Sequence, residues 1–338
     1  MPLGGINMTK NIIEARNLRK YFPIKRGFFA TLFARESLVV HAVDNIDLEI
    51  KEMEVFGLVG ESGCGKTTTG KLLLGLIKPT TGKVFFDGID IFSLDAEKLK
   101  QIRQKMQIIF QDPYESLNPR MSIYDLVSEP LRLQKVVETE DEIMDRVVKV
   151  METMGLVPAE QFLYRFPHEL SGGQRQRVAI ARAFILQPRF IVADEPVSML
   201  DASIRSEVCR LMLQLVKEFN VSYLYITHDI ARARYMCDRI AVMYLGKIVE
   251  KGPTEEVITR PLHPYTEALL AAVPVPDPTA RRTKVIVKGE VPSAIFPPPG
   301  CRFHPRCPYA QDICRREEPE LIEVEKGHMV ACHFPLRK

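Results

Sequence analysis

Residues 60–67 read G-E-S-G-C-G-K-T and stand between an apolar run at 54–59 and a helical pattern at 65–76. This spacing, between a strand and a helix, matches the phosphate loop of nucleotide-binding proteins. Glycines let backbone N–H groups turn inward around phosphate oxygens, where a Cβ atom would collide, and the following helix adds its positive end. The stretch therefore predicts a loop that binds nucleotide phosphates.

Each residue type in this loop has an expected role. Lys66 would reach the β- and γ-phosphates, and the hydroxyl of Thr67 would ligate Mg²⁺. We expect the other contacts to ATP from the following residues of the loop and helix start: Gly60, Ser62, Gly63, Cys64, Gly65 and Thr68.

A second motif, FIVADE at 190–195, ends an apolar strand with two carboxylates. Alone, such a strand end is more often simply solvated. Together with the phosphate loop it predicts that Asp194 holds Mg²⁺ through water and that Glu195 orients and polarises the attacking water as a general base.

The wider pattern alternates strands with helices, which favours an α/β sheet covered on both faces. A hairpin is expected at 82–91, with Asp87-Gly88 as its turn. The predicted strands are 39–50, 54–59, 106–110, 190–193 and 222–227, and the helices after the sheet motifs are 202–219 and 230–237.

At 338 residues the chain predicts one large and one small domain. The large domain spans 10–272 and includes a helical insertion at about 121–170, where the strand signal disappears. A loop insertion is expected at 23–35. From residue 273 prolines accumulate, which predicts a linker and a loop-rich tail over 273–338.

Composition excludes several functions. With 46% apolar and 26% charged residues the chain is typical of a soluble globular protein, and a net charge of +3 gives no reason to expect a nucleic-acid partner. No run of 18 apolar residues occurs, and the first ten residues lack the pattern of a secretory signal. We expect a cytosolic protein that meets the membrane only through a partner.

A third motif, LSGGQ at 170–174, begins another predicted helix. It resembles the signature of ATP-binding cassette (ABC) ATPases. The resemblance implies an ABC-type nucleotide-binding domain with a phosphate-loop sheet core, an antiparallel β subdomain and a helical insertion. It also implies that the signature residues face the ATP of an opposite subunit, so that two cassettes enclose two nucleotides: Ser171, Gly172, Gly173 and Gln174.

The same resemblance implies roles for four further positions. Gln111 would sense Mg²⁺ and water, His228 would contact the γ-phosphate, and Asp201 would belong to the dimer-contact loop. The aromatic residue that stacks on adenine is expected to be Tyr21, with Phe22 as the alternative.

Three features indicate a particular branch of the ABC ATPases. They are FQDPYESLNPR at 110–120, PLHPYTEALL at 261–270, and a cysteine tail. They are similar to the ATPase subunits of oligopeptide and dipeptide importers, and the insertion before His41 resembles the second of their two paralogous subunits. This implies a heterodimer with a paralogous ATPase, beneath two membrane permeases fed by an extracellular binding protein, at the cytoplasmic face of the membrane. Import of nickel or oligosaccharides, and a soluble non-transport cassette ATPase, are the alternatives.

The tail cysteines follow the spacing C-x5-C-x6-C-x17-C, at Cys301, Cys307, Cys314 and Cys332. Four thiolates suit either zinc or a [4Fe–4S] cluster, and the spacing alone does not choose between them; cysteines that bind no metal are the third alternative. Resemblance to the importer ATPases implies the iron–sulfur cluster. Four arginines nearby could offset the charge of the cluster, but they are expected to form a solvated basic face: Arg302, Arg306, Arg315 and Arg316.

Overall fold

The computed structural model describes residues 10–24, 38–137, 139–273 and 289–336. The loop insertion expected at 23–35 and most of the proline-rich linker lie outside the described residues. The chain divides into two compact units. The first contains residues 10–12 and 50–54 and the described residues of 93–225, and the second contains the described residues of 13–49, 55–92 and those from 226 onward.

Strands occur along most of the described chain, and their bounds follow in chain order. They are β1 (Asn11–Pro23), β2 (Val39–Lys51), β3 (Val55–Val59), β4 (Thr81–Phe86), β5 (Ile89–Asp90), β6 (Met106–Ile109), β7 (Phe190–Asp194), β8 (Ser222–Thr227), β9 (Arg239–Tyr244), β10 (Lys247–Pro253), β11 (Ile322–Glu325) and β12 (His328–Val330).

Helices follow several of these strands directly. They are α1 (Lys66–Leu73), α2 (Ala96–Gln104), α3 (Pro113–Ser116), α4 (Ile123–Gln134), α5 (Glu140–Thr153), α6 (Glu160–Leu163), α7 (Gly172–Phe184), α8 (Ala202–Phe219), α9 (Ile230–Met236), α10 (Thr254–Thr259), α11 (Pro264–Ala271) and α12 (Asp312–Arg316). The helix predicted at 202–219 and the strand predicted at 222–227 are confirmed with the same bounds.

The first unit pairs β6 with β7 in parallel, and β8 is the next strand beside β7. Every residue of β7 is buried, as expected of a strand covered on both faces. Helix α4 packs against α5 and α7. The region 121–170 contains α4, α5 and α6, and α7 carries the LSGGQ motif at its start.

The second unit contains a four-stranded sheet in the order β2-β1-β4-β5. Strand β4 runs antiparallel to β1 and to β5. The turn between β4 and β5 has φ of 52° at Asp87 and 81° at Gly88, which is the geometry that an Asp-Gly hairpin turn requires. The predicted hairpin is confirmed.

A second sheet of this unit has the order β11-β12-β10-β9-β3. Strand β3 is parallel to β9, and β10 runs antiparallel to both β9 and β12. The tail after residue 289 thus contributes β11 and β12, which the sequence did not predict. The core of the sheet is β3 and β9, in which nearly all residues are buried.

Candidate functional site

The phosphate loop lies between β3 and α1 in the second unit. Gly63 and Gly65 have φ of 77° and 110°, in the left-handed region that favours glycine. A Cβ atom on Gly65 would lie 2.1 Å from the carbonyl oxygen of Ala42, and one on Gly60 would lie 2.2 Å from that of Met243. The loop therefore packs so closely on its surroundings that a side chain at either position would displace it.

Lys66 lies inside this loop and is 6% exposed. Its Nζ donates to the carbonyl oxygens of Gly60 at 2.7 Å and Glu61 at 2.9 Å. Burial raises the pKa of the Cys64 thiol, so that side chain is a neutral part of the loop wall. Because carbonyl oxygens carry only partial negative charge, the ammonium group keeps a net positive charge that phosphate oxygens can use.

The other predicted nucleotide contacts of the second unit stand at its surface. Ser62 and Thr67 are exposed, and Thr68 is half-buried. His228 follows β8 and is also exposed. The next residue, Asp229, caps α9 by accepting the backbone N–H of Ala231 at 3.0 Å, so a defined helix start follows the histidine.

The side chain of Tyr21, the residue predicted to stack on adenine, already contacts two other side chains. Its hydroxyl donates to Asp44 at 2.6 Å, and its ring centroid lies 4.4 Å from that of His41. Burial and this hydrogen bond raise the pKa of Tyr21 to about 12. Phe22, the alternative, is 38% exposed. That Tyr21 binds adenine stays a prediction.

In the first unit, Gln111 and Glu195, the two residues predicted to contact the attacking water, lie next to each other. Gln111 Nε2 donates to Glu195 Oε2 at 3.3 Å. Glu195 follows Asp194, the 7% exposed last residue of β7, and its φ of 47° lies in the left-handed region. A non-glycine residue in that region costs about 1 kcal/mol or more and is found at functional sites. Each unit thus contains some of the residues that are predicted to bind and hydrolyse ATP.

The signature motif forms a capped helix start. Ser171 Oγ accepts the backbone N–H of Gln174 at 3.3 Å, and the Gln174 side chain accepts that of Ser171 at 3.0 Å. A Cβ atom on Gly173 would lie 2.6 Å from Ile204 Cγ2, so α7 can approach α8 only because glycine is there. Gly172 is exposed. The hydroxyl proton of Ser171 remains able to donate to an anion.

Two arginines that the sequence reasoning did not single out shape the loops around this motif. Arg175 is 8% exposed and donates to the carbonyl oxygens of Pro167 and Leu170, each at 2.6 Å. Arg205 donates to Ser198 O at 3.3 Å, beside Asp201, which immediately precedes α8. The position of Arg175 directly after LSGGQ could have indicated its role, whereas Arg205 lies within α8 and carries no such signal.

The tail cysteines of the second unit converge. They line one small cavity: Cys301, Cys307, Cys314 and Cys332. Burial, with a contribution from the neighbouring thiols, raises the pKa of Cys301 to about 11 and that of Cys332 to about 12. Within the described residues, no group of three or more His, Cys, Asp or Glu side chains is placed to hold a metal ion.

His263 also lines this cavity, and it is 1% exposed. Burial lowers its pKa to about 3, so the ring is neutral. Its Nδ1 accepts the backbone N–H of Tyr265 at 3.0 Å, which leaves the ring proton on Nε2. No acceptor for that Nε2 occurs among the described residues. A buried N–H beside four thiols suits a cavity that holds a negatively charged group.

The expectation of a solvated basic face is wrong for two of the four tail arginines. Arg302 is 8% exposed and pairs with Asp44, and Arg306 pairs with Glu61 at 2.9 Å. Each lies against a carboxylate far away in the sequence, which a local pattern could not reveal. Arg315 and Arg316 are exposed, as expected.

Two family models match this chain. One, described as ABC transporter, covers residues 43–198, and the other, described as the C-terminal region of oligopeptide/dipeptide transporters, covers 249–314. The oligopeptide transport ATP-binding protein AppF of Bacillus subtilis (strain 168) is 46% identical over 328 residues, which are 96% of this chain and 98% of that protein. The chain belongs to the ABC ATPase family.

Other comparisons agree with this membership. The probable peptide ABC transporter ATP-binding protein y4tS of Sinorhizobium fredii (strain NBRC 101917 / NGR234) is 43% identical, over 96% of this ABC ATPase and 90% of that protein. The solved dimer of the ATP-binding cassette MJ0796 with ADP and Pi has a TM-score of 0.62 at 31% identity, over 72% of this chain and 98% of that one. The predicted nucleotide-binding fold is confirmed. None of the helices in the described part of the ABC ATPase is long and apolar enough to cross a membrane.

Proposed function

We propose that this ABC ATPase powers the import of di- or oligopeptides through a pair of membrane permeases. The observation that carries the proposal is the match of residues 249–314 to the C-terminal region of oligopeptide/dipeptide transporters. Relatives named for peptide transport, matched over nearly the whole chain, support it. The proposed assembly pairs the chain with a paralogous ATPase at the cytoplasmic face of the membrane, and an extracellular binding protein delivers the peptide.

In this proposal each predicted site residue has one task. Lys66 and the backbone of residues 60–68 bind the phosphates of ATP, while Thr67, Gln111 and Asp194 hold Mg²⁺. Glu195 activates water and His228 contacts the γ-phosphate. The motif at 171–174 completes the ATP site of the partner subunit, with Asp201 at the contact between the two. The capped helix start at Ser171 and the hydrogen bond between Gln111 and Glu195 support these assignments.

Uptake by the whole complex in liposomes tests the proposal. We expect ATP-dependent accumulation of a labelled peptide, and we expect ATP hydrolysis to rise when peptide-loaded binding protein is added. A complex with Lys66→Ala is the control, because it keeps the assembly and removes the phosphate-binding cation. Uptake of nickel or an oligosaccharide without peptide uptake would overturn the assignment of peptides as the cargo. Failure of the chain to associate with any permease would favour a soluble ATPase.

The tail is the site of a second proposal: we infer that its four cysteines hold one [4Fe–4S] cluster. Thiolates are the ligands that iron–sulfur clusters require, and the side chains of four cysteines line this cavity. The buried N–H of His263 supports a negatively charged occupant. Hydrolysis of ATP needs no electrons, so we assign the cluster to structure. Its binding energy becomes folding energy in a segment with little apolar core.

Metal content tests the cluster directly. Protein purified without oxygen should be brown and contain about four irons per chain. Cys314→Ser should bleach it and expose the tail to proteases, because a missing ligand removes binding energy from the folded tail. Cys209→Ser, a buried cysteine in α8, should keep the colour and serves as the matched control. Colourless anaerobic protein with one zinc per chain would replace the cluster with a zinc site.

A further inference from the structure

We propose that Arg306, in the cysteine tail, is a positioning residue for the phosphate loop and acts through Glu61. The inference rests on MgATP binding at residues 60–67 and needs no particular cargo. Its consequence is that nucleotide affinity depends on the folded state of a tail that contributes no residue to the predicted ATP site.

The contact is a two-pronged ion pair. Arg306 Nη1 lies 2.9 Å and 3.2 Å from the two carboxylate oxygens of Glu61, and Nη2 lies 3.2 Å from Oε1. The arginine side chain is 12% exposed and that of Glu61 is 30% exposed. The guanidinium also lies 5.8 Å from the ring centroid of Tyr244 and 5.9 Å from that of Phe303. A bidentate pair with these aromatic neighbours fixes both position and angle, unlike a mobile surface pair.

Glu61 transmits this position to the loop because its backbone is held as well. Its backbone N–H donates to the hydroxyl oxygen of Tyr265 at 2.9 Å. Its carbonyl oxygen accepts Lys66 Nζ at 2.9 Å. One residue of the loop therefore connects the tail arginine to the lysine that binds phosphate.

The charge of Arg306 matters as much as its shape. Glu61 places a carboxylate on a loop that must bind a polyanion, and like charges repel. Arg306 neutralises that carboxylate. Without the arginine the loop would be both less ordered and more negative, and both changes oppose ATP binding.

The tail also determines where Arg306 lies. It directly precedes Cys307, and the backbone N–H of Cys307 donates to Phe303 O at 3.0 Å. The N–H of Cys301 donates to Cys314 O at 2.8 Å. The thiol cavity and the arginine thus share one short stretch of backbone. Disorder around the cysteines would release Arg306 from Glu61.

Arg306→Gln tests the proposal through binding and kinetics together. We expect the Kd and KM for MgATP to rise about tenfold, since a charge-assisted pair is lost, while kcat in the assembled complex changes by less than about threefold. Arg306→Lys should recover part of the affinity because it restores the charge. Arg315→Gln, an exposed arginine of the same tail, should bind like the original protein and serves as the control.

A double mutant separates positioning from general stability. Glu61→Gln removes the carboxylate that Arg306 neutralises, so adding it to Arg306→Gln should restore most of the affinity. A merely structural loss would not be restored, and the melting temperature without nucleotide would report it. Unchanged affinity in Arg306→Gln, or equal losses in the single and double mutants, would overturn the proposal. Failure of the original protein to bind MgATP would instead contradict the ATP site itself.

Discussion

Glu195→Gln should slow steady-state ATP hydrolysis in the assembled complex by about a hundredfold or more, equivalent to about 2.7 kcal/mol in the activation barrier. The amide has nearly the shape of the carboxylate but cannot take a proton from water. MgATP binding should remain intact, because the phosphate loop and Asp194 are unchanged. The Gln111 side chain can still donate to the oxygen of the new amide, so the local geometry should also persist.

A matched variant shows whether the loss is specific. Glu207 pairs with Arg177 at 3.2 Å on an exposed face of the same unit, and Glu207→Gln should leave hydrolysis within about twofold, as surface pairs contribute little. Binding of a fluorescent nucleotide and the rate of phosphate release are the two measurements. Near-normal turnover of Glu195→Gln beside normal binding would remove Glu195 from the role of general base.

The parts of the candidate site that the sequence predicted are all local. The phosphate loop at 60–67, the strand end at 190–195 and the helix start at 170–174 each place their chemistry where one element ends and another begins. Glycine geometry, burial of an apolar strand and helix capping determine such junctions within a few residues. The capping box between Ser171 and Gln174 is an example in which the residue types and their spacing alone specify the hydrogen bonds.

The parts that the sequence did not predict depend on pairing across long separations. Arg306 and Glu61 are 245 residues apart, and Arg302 and Asp44 are 258 apart. The local sequence around these two arginines is equally compatible with side chains that are exposed to solvent. Strand β11 (I-E-V-E) does alternate apolar and charged residues, but it was missed because a run of only four residues, all of them exposed, is a weak strand signal. Its place in the sheet comes from β12, which pairs with β10.

Ser171→Arg should disable the ATP site that the signature forms with the partner's phosphate loop, and hydrolysis by the mixed dimer should fall more than tenfold. Ser171 is exposed at the start of α7, where the positive end of the helix favours an anion. A long cationic side chain there would occupy the space that the γ-phosphate of the opposite nucleotide needs. Phosphate release by the mixed dimer measures the effect.

The substitution also removes a helix cap, which by itself costs about 1 kcal/mol, so a second variant is needed to separate the two effects. Ser171→Asp keeps an oxygen that can accept the Gln174 N–H and therefore preserves the cap, but it places a negative charge against the phosphate. We expect Ser171→Asp to retain the melting temperature of the original chain and still lose hydrolysis in the mixed dimer. Ser171→Ala, which loses the cap without adding charge, should be less stable yet more active than either. If Ser171→Asp turned over ATP at the normal rate, residues 171–174 would be a structural cap alone, and the partner's ATP site would have to be completed by another part of this chain.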